Sequence, residues 1–104
     1  METRRIVVTR GSSEDREGLF LPHPRRGDRI ELARDLADAF RSCFESPCDR
    51  LYVSLFAADP SELTSLAMFR AMKPSQHLVL VVDPEIRSLV ETLDVADEYL
   101  TFEN

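Results

Sequence analysis

Three hydroxyl side chains, Ser61, Thr64 and Ser65, cluster just after Asp59-Pro60. Asp followed by Pro opens a helix: the carboxylate caps free amides and proline suits the first helical position. A phosphoryl group added in those first turns would meet unpaired amides and the positive end of the helix dipole. The stretch therefore suits reversible phosphorylation. The same residues also supply an ordinary helix start, with Asp59 as cap and Ser61 and Glu62 in the first turn.

Other reactive side chains are sparse. Two cysteines, Cys43 and Cys48, and two histidines, His23 and His77, stand at spacings unlike a zinc site. Cys43 falls on the apolar face of a helix as a small hydrophobe, and Cys48 follows Pro47 at the helix exit. A cytosolic setting argues for free thiols rather than a Cys43–Cys48 disulfide. His23, between Pro22 and Pro24, reads as an exposed loop residue. There is no G-x-G-x-x-G, no G-K-[ST] loop and no G-x-S-x-G elbow, and three glycines in the chain leave little for a nucleotide cradle. The expectation is no enzyme activity, no cofactor and no metal.

The elements that must hold these residues are clearest in the second half. Arg50 to Ala58 is apolar and β-prone, and Asp59-Pro60 turns it into a helix from Pro60 to Met72. His77 to Val82 is a purer strand, and Asp83-Pro84-Glu85 opens a helix to about Thr92, with Ile86, Leu89, Val90 and Leu93 on one face. Strands that run into helices in this way predict an α/β fold. The helix after Asp59 carries no charge between Glu62 and Arg70, and Met68, Phe69 and Met72 spread apolar character around it. Such a helix is either buried on several sides or used as a contact surface.

In the first half, Arg5 to Thr9 predicts a strand and Leu19 to Leu21 a weak edge strand stopped by prolines. Gly27-Asp28 precedes a long amphipathic helix with Leu32, Leu36, Phe40, Cys43 and Phe44 on its apolar face, ended by Ser46-Pro47. Tyr99 to Phe102 closes the chain as a strand. The expected core comprises Ile6, Val7, Leu36, Phe40, Val53, Leu66, Val79, Val81, Ile86, Leu89 and Val90.

At 104 residues the chain suits one domain, spanning 1–104, with one core. The net charge is −6, but residues 1–30 carry seven arginines against five acids, whereas residues 31–104 carry six bases against fourteen acids. That acidic balance repels phosphate backbones and argues against a nucleic-acid partner. Arg25, Arg26 and Arg29 form a small basic cluster, read as a solvated loop. No apolar run approaches the roughly 20 residues that span a bilayer. Nor does an apolar stretch of signal-peptide length follow Met1-Glu-Thr-Arg-Arg5. Cytoplasmic placement without membrane insertion is expected.

From Asp49 to Asn104 the chain resembles the STAS domain of anti-sigma-factor antagonists. The resemblance rests on Asp59-Pro60-Ser61-Glu62-Leu63 after a strand, and on the strand His77 to Val82. It continues through Pro84-Glu-Ile-Arg-Ser-Leu89 and Glu91 to Leu100. In the first half, Gly27-Asp-Arg-Ile-Glu-Leu32 resembles the family's Gly-Glu-Leu-Asp segment. Pro60 and Glu62 stand where the family's turn has its first Ser and its Gly. Aligned on Asp59, Ser61 takes the phospho-acceptor place; aligned without a gap from Leu51, Thr64 does. The Ser61 alignment is preferred, because it leaves a helix of about three turns.

The resemblance implies a single α/β domain with a mixed sheet of four to five strands and helices mainly on one face. It implies a protein-binding regulatory domain, switched by Ser/Thr phosphorylation, whose partner is an anti-sigma factor that is also a Ser/Thr kinase, or another signalling subunit. Partner-binding residues are then Asp59, Ser61, Glu62, Thr64, Ser65 and Met68. A rival role is a scaffold or subunit of a transport or signalling complex that needs no phosphorylation. A further one is a small ligand-binding domain or enzyme, with its site at the turns Ala58 to Glu62 and Val82 to Glu85.

Overall fold

Leu78–Val82 reads Leu-Val-Leu-Val-Val, and all five residues are buried. A strand apolar on both faces belongs inside a parallel sheet, with a neighbour on each side. The computed structural model describes residues 4–10 and 25–102 and places this strand there. The elements run β1 Arg4–Arg10, β2 Asp28–Leu32, α1 Leu36–Glu45, β3 Arg50–Leu55, α2 Pro60–Met72, β4 Leu78–Val82, α3 Arg87–Leu93 and β5 Glu98–Thr101. The five strands form one sheet in the order β2-β1-β3-β4-β5.

The α/β class, the five strands and the helices on one face follow the expectation. The expected mixture of strand directions does not: every pairing is parallel. A helix lies between β2 and β3, between β3 and β4, and between β4 and β5, so each of these strands re-enters the sheet in the same direction. All three helices bury their apolar stripes on one face, where Ala39 and Cys43, Leu66 and Phe69, and Val90 join Val7, Leu51, Val53, Leu80 and Val82. The opposite face has its own cluster, Ile6, Val8, Tyr52, Val79 and Val81, to which no described helix contributes.

The expected strand Leu19 to Leu21 lies outside the described residues. The second strand is instead Asp28–Leu32, which had read as the approach to the long helix. Its identity depends on the neighbouring strand. Arg4 grips Asp28 with two hydrogen bonds of 2.8 Å, and Arg5 pairs with Glu31 on the other face. Gly27, at φ 91°, makes the turn in which the Asp28 amide donates to the Arg25 carbonyl. Leu32 therefore lies on the sheet edge, 64% exposed, rather than on a helix.

The helix α1 starts later, capped by Asp35, whose Oδ1 accepts from the Asp38 amide, while Asp38 accepts from the Arg34 amide. These reciprocal bonds satisfy donors that a helix start leaves free. Helix α3 is also shorter than expected. Asp83 accepts from the Glu85 amide and Ile86 donates to the Asp83 carbonyl, so residues 83–86 form a turn and the helix begins at Arg87. Asp94 ends it in the left-handed region at φ 50°, where aspartate is tolerated better than most residues. Val90 is buried and Ile86 packs against the core, but Leu89 is 53% exposed and leaves the expected core list.

Candidate functional site

Helix α2 keeps the start read from the sequence. Asp59 is its cap, and its Oδ1 accepts from both the amide and the hydroxyl of Ser61 at 2.8 Å. The Ser61 hydroxyl, then its amide, hold the Asp59 carboxyl below its ordinary range. Ser65 donates its hydroxyl to the Ser61 carbonyl at 2.9 Å. Thr64 is exposed and Glu62 is half-buried. At the helical period, Ser61, Ser65, Met68 and Met72 form one stripe.

That stripe borders a groove of about 260 Å³ between α1 and α2. Ser65, Met68 and Met72 line one wall, and Leu36, Ala37 and Phe44 the other. Two rings make the floor: Phe40 stacks on Phe69 with centroids 4.4 Å apart, and Phe44 meets Phe69 edge-on at 5.5 Å. Met68, Met72 and Phe44 are 60%, 67% and 49% exposed, an unusual amount of apolar surface in one place.

Of the residues picked from the sequence, Ser65 and Met68 reach this groove. Ser61 begins the same stripe next to its cap Asp59, and Thr64 and Glu62 do not line the groove. The α1 wall was missed, because Phe40 had read as core and Phe44 only as part of the helix face that docks. Their one-turn spacing beside an unusually apolar second helix was the available signal.

A second cavity, of about 350 Å³, opens where α1 and α2 end. Cys43, Cys48, Lys73 and Gln76 are among its walls, and Phe44 borders both cavities. The last turn of α1 carries no basic residue of its own, and others supply the cations. Arg5 donates to the Ser46 carbonyl at 3.0 Å and to the Ser42 hydroxyl, and Lys73 donates to the Cys43 carbonyl. Gln76 is buried and donates to the Cys48 and His77 carbonyls. Lys73 and Gln76 had drawn no attention in the sequence.

Neither cavity touches the Asp59 or Asp83 turns, where a ligand site had been considered. Among the described residues no three His, Cys, Asp or Glu side chains converge as a metal site would require. No described helix is long and apolar enough to cross a membrane. Compared with family models, curated proteins and solved structures, the chain matches none.

Proposed function

We propose that this chain is a non-enzymatic, protein-binding regulatory domain of the anti-sigma-factor-antagonist kind, which takes up its partner along the α1–α2 groove. The observation that carries the reading is the groove itself. Its rim of Met68, Met72 and Phe44 is apolar and accessible, and it continues into the hydroxyl-bearing start of α2. Flexible methionines beside rigid rings suit a protein surface. The placement of all helices on one face is also what the STAS resemblance implies. In this reading the partner is an anti-sigma factor with Ser/Thr kinase activity or another signalling subunit in the cytosol. A phosphate of about −2 charge at Ser61 or Thr64 would oppose a tightly packed contact there.

One observation favours the rival role of a scaffold that is not switched. The Ser61 hydroxyl already donates to Asp59, and a phosphate in its place would face that carboxylate and disturb the helix cap. The same groove serves both roles.

The test is to capture the partner with the intact chain from its native cells, identify it by mass spectrometry and measure its affinity by calorimetry. Met68→Asp should reduce affinity at least tenfold with an unchanged circular dichroism spectrum, about 1.4 kcal/mol in binding. Thr64→Asp and Ser61→Asp should weaken binding in the switched reading and leave it intact in the scaffold reading. Unchanged affinity in all three variants would reject the groove as the contact surface.

A further inference from the structure

The two cysteines of the chain come from different elements and meet at the second cavity. Cys43 lies on the last turn of α1 and is fully buried. Cys48 lies just before β3, half-buried, and also lines the cavity. Both line the same cavity, where the Cys48 thiol donates to the Arg50 carbonyl at 3.0 Å and to the Arg5 carbonyl at 3.6 Å. Only residues 44–47 separate them in the chain, so a bond between the two sulfurs would close a small loop.

The surroundings distinguish the two thiols. Contact with Cys43 lowers the Cys48 thiol to about 7; burial opposes this, while a backbone bond at Val7 and the charge of Arg5 assist it. The same contact, with burial, pushes Cys43 up. Arg5 of β1, Lys73 at the end of α2 and Glu45 of α1 are the charged groups around the pair. One sulfur is therefore an accessible nucleophile and the other holds its proton until it is needed.

We propose that Cys43 and Cys48 form a dithiol site that hydrogen peroxide oxidises to a reversible disulfide, with Cys48 attacking and Cys43 resolving. In the first step the Cys48 thiolate attacks a peroxide oxygen. An S–O bond forms, the O–O bond breaks, and the departing hydroxide takes a proton to leave as water, with Cys48 as the sulfenic acid. In the second step the Cys43 sulfur attacks that sulfenic sulfur. The S–S bond forms, the S–O bond breaks, and hydroxide leaves as water with the Cys43 proton. The net change is two thiols and one peroxide to one disulfide and two waters. The proposal does not depend on the binding role of the groove, although Phe44, next to Cys43, borders both cavities.

The test uses the full chain and hydrogen peroxide. Treatment should remove both free thiols and two hydrogens from the monomer mass, and a reducing thiol should restore them. In Cys43→Ala the reaction should stop at a Cys48 sulfenic acid trapped by dimedone, and in Cys48→Ser the remaining thiol should stay silent. The alkylation rate of native Cys48 should rise less steeply from pH 7 to about 8.5 than that of an ordinary thiol. That measurement, like the mass change, needs no variant to fold. Disulfide-linked dimers as the sole product, alkylation of Cys43 ahead of Cys48, or the steep rate profile would overturn the proposal.

Discussion

Arg70 and Asp97 meet through two parallel hydrogen bonds of 2.7 Å each, one from each terminal nitrogen of the guanidinium. Asp97 also accepts from the Leu78 amide at 2.8 Å, and Arg70 donates to the Gln76 carbonyl at 3.2 Å. One bidentate pair thus fastens the last turn of α2 to the beginnings of β4 and β5.

The first prediction follows from that pair. Arg70 holds the Asp97 carboxyl at about 2, and Arg4 does the same for Asp28. Both groups bind protons less readily folded than unfolded. Their contribution is complete above the ordinary carboxylate range near 4 and is lost as pH falls toward about 2. Thermal melts should show a falling Tm across that window. Asp97→Asn should melt lower than wild type at neutral pH and decline less steeply in acid.

Core and surface leucines should separate cleanly. Leu66 is fully buried, so Leu66→Ala should cost about 2–5 kcal/mol in urea unfolding. Leu89 is half exposed, and Leu89→Ala should cost less than about 1 kcal/mol. A large loss at Leu89 would mean that α3 presents a different face to the sheet.

The groove rim should be dispensable for folding. Met72→Ser should change stability by no more than about 0.5 kcal/mol, because the side chain is mostly in water. Phe69→Ala, which removes the ring that Phe40 and Phe44 both touch, should cost about 3–5 kcal/mol. Chemical denaturation of the two variants checks the contrast.

Arg5 should matter twice. Its guanidinium meets carbonyls at the end of α1, so Arg5→Ala should destabilise the fold by about 1–3 kcal/mol. It also removes a positive charge that favours the Cys48 thiolate, so the midpoint for Cys48 alkylation should move to higher pH. A midpoint that stays in place would show that the Arg5 charge does not help set it.

What could be read from the chain was what local residues decide. Leu78–Val82 has no polar side chain to argue against a buried strand, and α2 carries its own start at Asp59-Pro60 and its own stop at Lys73-Pro74. The strand Asp28–Leu32 was hidden because its acids belong there only once Arg4 and Arg5 lie alongside. Leu89 was misplaced because the turn at residues 83–86 delays the helix. Half of the groove was hidden for a similar reason. That Phe44 lies partly in water depends on how α1 rests beside α2, and no spacing within α1 encodes that. The thiol pair likewise depends on packing: Cys48 is shifted first by Cys43 and then by burial, with a smaller part from Arg5 of another strand.

The place of β1 has a consequence for how the chain reaches its fold. It precedes every other described strand in sequence, yet it lies between β2 and β3 in the sheet. During synthesis its apolar run Ile6-Val7-Val8 leaves the ribosome before either neighbour exists, and it must stay unpaired until they follow. Every ladder in the sheet joins segments distant in sequence, a pattern that goes with slow folding and late commitment. Loss of residues 4–10 would strand β2 without a neighbour and turn β3 into an open edge, with a free row of backbone donors and acceptors inviting pairing with another molecule.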